Sequence, residues 1–124
     1  MPKDRQCDAL VTTLDILPTS LAAIEATVPT SCDGANLLPI AQSESERLSR
    51  DHLCWRIDGG KGYALRQGQW KLATGPKFSK PVLYDLNADI GETTDVSADK
   101  PGLKAKLMQK LRAWDALNVP PAFR

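Results

Sequence analysis

His52-Leu53-Cys54-Trp55-Arg56-Ile57, Tyr63-Ala64-Leu65-Arg66, Trp70-Lys71-Leu72-Ala73-Thr74 and Val82-Leu83-Tyr84-Asp85-Leu86 are four short runs rich in branched and aromatic side chains. Each is bounded by turn residues: Asp58-Gly59-Gly60-Lys61-Gly62, Gln67-Gly68-Gln69 and Gly75-Pro76-Lys77. Runs of this length punctuated in this way form sequential hairpins, because glycine supplies the positive φ that tight turns require. Leu53, Trp55 and Ile57 alternate with Cys54 and Arg56, and Trp70 and Leu72 alternate with Lys71 and Ala73. A period of two puts alternate side chains on opposite faces, so one face is expected to be buried and the other wetter. The reading is four strands, mostly antiparallel.

On the C-terminal side, Asn87 to Ala98 is an acidic turn segment. A helix is expected to start between Asp99 and Gly102 and to end at Asn118 and Pro120-Pro121. Leu103, Leu107, Leu111 and Trp114 form its apolar stripe, with Met108 and Leu117 beside it and Lys104, Lys106, Lys110 and Arg112 on the other sides. Such a stripe is stable only against a partner, and the four-stranded sheet is available. The stripe is expected to be the principal clamp on the sheet, and Trp114→Ala to cost about 3–5 kcal/mol if its ring is fully buried.

On the N-terminal side, Leu10, Leu14, Leu17, Leu21 and Ile24 recur at steps of four and three, one face of an amphipathic helix. Thr12-x-x-Asp15 resembles a capping box. The helix is expected from about Thr13 to Thr27, bent at Pro18 or beginning only there. Val28 to Gln42 reads as an irregular connection holding a short helical turn, anchored by Leu37, Leu38 and Ile40. Gln42 to Arg50 reads as a solvated loop. The fold class is therefore α/β of the α+β kind: an N-terminal helix, then a four-stranded mostly antiparallel sheet packed by a C-terminal amphipathic helix. Residues 1–50 and 51–124 are the two expected parts.

The 124 residues carry 16 Lys and Arg against 15 Asp and Glu, a formal charge of +1. That leaves no excess for counterion-driven binding to nucleic acid or for attachment to anionic lipid. No apolar run approaches the ~20 residues of a membrane span. The Met1-Pro2-Lys3-Asp4-Arg5-Gln6 start lacks the basic-then-apolar layout of a signal peptide. Cys7, Cys32 and Cys54, odd in number and far apart, are a poor fit to a disulfide framework or a four-thiolate zinc site and read as packing residues, the alternatives being one disulfide with a free thiol or His52-x-Cys54 joined by a distant cysteine.

Few residues carry a chemical reading. His52 is the sole histidine, so any thiol or serine catalytic pair must use it, and Cys54 is its neighbour on one strand face. Nothing nearby identifies the third group that would hold the base. The Gly59–Gly62 stretch lacks phosphate-loop spacing and reads as a turn. His52, Trp55 and Arg56 are the one grouping with a substrate-binding reading, an aromatic platform with a cation and an imidazole suited to a sugar or an anionic ester. Against it, core packing is the default for the aromatic residues.

Four stretches, in order, resemble the region after the catalytic core of type I sulfatases, arylsulfatase-like enzymes of the alkaline phosphatase superfamily. They are Asp8 to Thr19; Asp33-Gly34-Ala35-Asn36-Leu37-Leu38-Pro39-Ile40; His52 to Arg56 followed by Ala64 to Leu72; and Leu83 to Asp95. Ile90 stands where the family usually has proline and Asp95 where asparagine is common, departures expected to loosen that turn. The resemblance implies the C-terminal portion of a sulfatase: the closing helix of the main domain (residues 1–50) and the small C-terminal subdomain (51–124), serving as scaffold and as part of the substrate-pocket wall. It also implies that the Leu10–Ile24 face lies against a large domain, and that without that domain part of it is an exposed apolar patch favouring self-association or low solubility.

The family's nucleophile, a formylglycine from a C/S-x-P-S-R motif, matches none of the three cysteine contexts. Its calcium- or magnesium-binding aspartates precede the region represented here. No catalytic or metal residue is thereby assigned to this chain, and the implied partners are the sulfatase catalytic domain and a sulfated ester substrate. Members of the family are often periplasmic, secreted or lysosomal. A stand-alone, non-catalytic binding or interaction module of the same fold is the alternative.

Overall fold

The hairpin chemistry of residues 53–85 is realised in the computed structural model, which describes residues 7–43 and 48–119. The chain divides into two compact units, Met1–Asp51 and His52–Arg124.

In the second unit, β1 (Leu53–Ile57), β2 (Gly62–Gln67), β3 (Trp70–Thr74) and β4 (Val82–Asp85) form one sheet in the order β1-β2-β3-β4. Every neighbouring pair is antiparallel. The β2–β3 connection has two residues, because Gln67 pairs with Trp70, and Gly68 takes φ +56° there. The registers Cys54↔Leu65, Leu65↔Leu72 and Leu72↔Leu83 align one row across all four strands. Leu65, Leu72 and Leu83 from that row join Leu107 and Leu111 of α3 (Pro101–Ala116) in a core with zero exposure. Burying a leucine contributes roughly 1.5–3 kcal/mol, so these five form the centre of the unit's hydrophobic core, on which Tyr63, Trp70, Phe78 and Trp114 also pack.

The register decides which face of β1 is inward. Once Cys54 sits in the leucine row, Trp55 and Ile57 must point to the opposite face, and they are 38% and 55% exposed. Alternation was legible in the sequence, but the more apolar set of this edge strand is the outer one. Trp114 packs beside the core half-buried, and Leu117 is exposed at the helix end, since α3 stops at Ala116. Asn118 closes that end by donating its side-chain amide to Trp114 O at 2.7 Å. Pro120 and Pro121 lie outside the described residues.

Two loops are tighter than expected. Phe78 folds back with φ +58° so that its ring stacks on Tyr63, centroids 4.4 Å apart. The 87–98 turn is not loosened by Ile90 and Asp95. The Asp89 carboxylate accepts from the amides of Thr93 and Thr94, and that of Asp95 accepts from Leu83 and Ser97. These hydrogen bonds to the charged form hold both carboxyls below their ordinary values. Val96 N donates to Leu83 O, so this segment covers the β4 edge.

In the first unit a 3₁₀ turn, Thr13–Asp15, leads into α1 (Ile16–Ala23), which is shorter than expected. Glu25 adopts φ +56° and Ala26 N returns to Leu21 O, a Schellman-type stop that ends the helix before Thr27. The short turn expected after Val28 is α2 (Leu38–Gln42), with Ile40 buried. In the turn that leads into it, Asn36 Oδ1 accepts from Leu38 N at 2.9 Å.

Much of the apolar face named above is exposed, with Leu10 and Leu21 half-buried. Leu14, Ile16, Leu17 and Ile24 are 55–73% exposed, whereas Asp15 and Pro18 are buried. Asp15 accepts from Arg50 Nη1 and Nη2 at 2.8 and 2.5 Å, from Ala35 N at 2.8 Å and from Thr12 N at 2.8 Å. Thr19 Oγ1 donates to Asp15 O and accepts from Leu37 N. Gly34 allows this approach, since a Cβ there would lie 2.0 Å from Leu14 O. Arg50 is thus no part of a solvated loop: its side chain keeps 13% exposure. None of the three cysteines forms a disulfide; Cys54 packs on the core, Cys32 is half-buried, and Cys7 is exposed rather than packed.

Candidate binding groove

The outer sheet face, opposite α3, carries a groove of about 640 Å³. Ala64 forms its floor, Trp55 and Ile57 one apolar side, Arg66 and Lys71 a cationic side, and Leu86, Ile90 and Glu92 from the segment after β4 its rim. Its volume lies within the range of small-molecule sites, about 300–1,000 Å³. The register dictates this assembly: Trp55 opposes Ala64, and Arg66 lies directly opposite Lys71. Lys71 Nζ reaches Glu92 Oε1 at 2.5 Å. Arg66 Nε donates to Gly68 O at 3.2 Å. Asp58 at the groove end is paired with Lys61 at 2.8 Å.

The three sequence candidates do not converge. Trp55 lines the groove with its ring partly open to solvent. Arg56 borders it, yet its guanidinium is turned to α3, at 2.5 and 3.1 Å from Asp115 Oδ1 and 2.8 Å from Val119 O. Pairing with Asp115 raises its already high pKa further. His52 precedes β1, is half-buried and is not among the groove residues. Sequence reasoning missed Arg66 and Lys71, whose signal was the two-residue Gly68-Gln69 turn. That turn fixes the register and with it the outer-face position of both cations.

Among the described residues no three His, Cys, Asp or Glu side chains come together as metal ligands. They do not fit a calcium or magnesium centre of the sulfatase kind.

No family model matches the chain. Individual proteins do. It is 30% identical over 127 residues to arylsulfatase K of Rattus norvegicus, covering 93% of this chain and 22% of that protein. Among solved structures, Ps i-CgsB in complex with k-i-k-neocarrahexaose superposes with a TM-score of 0.74 at 26% identity, covering 92% of this chain and 26% of that one. BT4656 in complex with its substrate D-glucosamine-2-N,6-O-disulfate gives 0.71 at 22% identity, over 89% and 25%. The chain belongs to the sulfatases. It corresponds to their C-terminal portion and spans less than a quarter of the length of the arylsulfatase it matches. The motifs shared with the sulfatases now have physical content in this chain. Asp15, Thr19 and Gly34 make the N-terminal clamp, and Lys71 with Glu92 joins the hairpin motif to the turn motif.

Proposed function

We propose that this chain serves a sulfuric ester hydrolase as scaffold and as one wall of the substrate pocket, the nucleophile and metal ligands coming from sequence outside these 124 residues. The supporting observation is the match itself, 93% of this chain against 22% of its relative. Cleaving a sulfate ester needs an activated nucleophile and stabilisation of charge on the sulfuryl oxygens. Neither Cys7-Asp8, Cys32-Asp33 nor Cys54-Trp55 opens a formylglycine motif. The exposed Leu14, Ile16, Leu17 and Ile24 are the surface proposed to meet the catalytic domain, since apolar clusters of this kind mark interaction sites.

On the substrate side, Trp55 is the proposed apolar platform, and Arg56 is a positioning residue that ties β1 to α3. His52 is retained as a substrate-side candidate on its grouping with Trp55 and Arg56 in the sequence alone.

The test is hydrolysis of a chromogenic aryl sulfate by the purified chain with calcium or magnesium, with and without co-expressed formylglycine-generating enzyme. No turnover above blank is expected. Turnover abolished by Cys54→Ser or His52→Ala would overturn the reading in favour of a thiol enzyme.

A further inference from the structure

The near-zero total charge of the chain hides a separation. Residues 1–51 carry four Lys and Arg against eight Asp and Glu, whereas residues 52–124 carry twelve against seven. Part of that cationic excess is gathered on the α3 side of the sheet, at the loop between β3 and β4. Ser79 N donates to Pro76 O at 3.0 Å and Gly75 N to Ser79 O at 2.8 Å, which closes the loop on itself. Within it Lys77, Phe78 and Lys80 take φ of +51°, +58° and +48°. Glycine or asparagine would fill such positions at lower cost, so lysine at two of them is explained by what its side chain does. Backbone held in these regions clusters at binding sites and ligand clamps. The Phe78 ring pins the loop, stacking on Tyr63 and lying 5.6 Å beneath the Arg112 guanidinium of α3. Lys77, Lys80 and Arg112 thus meet at one corner, all exposed, and among the described residues none of them is paired with a carboxylate. Asp115, the one acid of α3, is taken by Arg56.

We infer that this corner docks a short acidic peptide segment of a partner protein. The argument is charge complementarity. Three unpaired cations on one small surface repel one another, and carboxylates brought by a partner relieve that repulsion. The Arg112 fork suits a carboxylate held by two parallel N–H donors, while the two lysines act as point charges on flexible stems. Gln109 and Ala116, one turn to either side of Arg112, are exposed and uncharged, so nothing on this edge of the helix opposes an anion. A short segment meets only this local charge, because screening limits its reach to about 8–10 Å. A long polyanion depends on the charge of the whole chain, which is +1, and the acidic residues 1–51 give it nothing to hold.

The experiment is titration of a fluorescein-labelled peptide of eight glutamates with the 124-residue chain, read by anisotropy at low ionic strength. Binding is expected, absent for the matching lysine peptide and lost at high salt. The double variant Lys77→Gly, Lys80→Gly should weaken it about tenfold or more. The same variant should raise the denaturation midpoint, because glycine accepts the positive φ that lysine resists. That opposition of effects separates a binding role from a structural one. Arg112→Gln should also weaken binding, and Lys106→Gln, on the other flank of α3, should leave it unchanged. No binding of the acidic peptide, or undiminished binding to the glycine variant, overturns the inference. A lowered midpoint in that variant would assign the lysines to the loop's own structure and overturn it as well. Tighter binding of an oligothymidylate or a heparin fragment of equal charge would replace the peptide segment by a general polyanion.

Discussion

Residues 7–43 with Arg50 and residues 52–119 solve the burial problem in opposite ways. In the first unit the fully buried side chains include Asp15, and Leu14, Ile16, Leu17 and Ile24 are in solvent. In the second, Leu65, Leu72, Leu83, Leu107 and Leu111 are inside, and Lys106 and Arg112 are out. A sheet backed by a helix has enough facing apolar surface to stand by itself. An eight-residue helix with its aliphatic face outward does not, and its loops are instead held by one carboxylate collecting four donors. A small structure can thus be specified by directional polar contacts while its apolar surface stays available for another partner.

The sharpest way to break this contrast is to hollow out the leucine core. Leu111→Ala should cost about 2–5 kcal/mol, because the α3–sheet contact collapses only partially around the missing carbons. Amide exchange in β2 and β3 should accelerate accordingly. An unchanged denaturation midpoint would mean that the second unit, too, is held by something other than its leucines.

In the first unit the matching experiment is Asp15→Asn. Losing the charge leaves Arg50, with 13% side-chain exposure, without its ion partner, a cost of about 2–3 kcal/mol for a pair that keeps some contact with water. Accelerated exchange at Ala35 N–H, which donates to Asp15, is the local readout. Exchange there as slow as in the parent chain would show that backbone packing alone fixes the 33–37 loop.

That clamp also shows where sequence reading stops. Strands, turns and the α3 stripe are encoded by local periodicity, and all were legible. The pairing of Asp15 with Arg50 links positions 35 apart and has no periodic signal; Arg50 sits in a run that is polar except for Leu48. The facing of β1 was hidden for a different reason. Both of its faces carry large side chains, and only the register with β2 chooses between them. Of the candidate site, Trp55 was visible as an aromatic beside a cation, but the cation that shares its face is Arg66, not the adjacent Arg56.

Acid separates the units less sharply. The Arg50 guanidinium, the Ala35 amide and the Thr12 amide hold the Asp15 carboxyl far below the usual carboxylate range, against the opposing effect of burial. A depressed folded-state pKa stabilises fully above the unfolded value, near 4, and that stability is lost as pH falls toward the folded value. Between pH 5 and pH 3 the loss traceable to Asp15 should be about 1 kcal/mol, and absent in Asp15→Asn. Asp89 and Asp95, whose carboxyls are depressed by loop amides, should leave a residual slope in that variant. Identical pH profiles for the two proteins would show that the buried pair does not set the acid limit.

The smallest effect on stability is expected on the exposed apolar face around Leu14. Leu14 belongs to the amphipathic stripe and in an ordinary helix would be core, with a truncation cost of several kcal/mol. Here it is 60% exposed, so Leu14→Ser removes little buried area and should change stability by no more than about 0.5 kcal/mol. What it should change is association. With Val11, Ile16, Leu17 and Ile24 also more than half exposed, the face is large enough to draw copies together at high concentration. Sedimentation of the parent chain should show a concentration-dependent rise in average mass that Leu14→Ser, combined with Leu17→Ser, reduces. A strictly monomeric parent chain would mean that the face is too broken to act as a contact surface. A large loss of stability in Leu14→Ser would mean that this side chain is buried in solution after all, and the contrast between the two units would disappear.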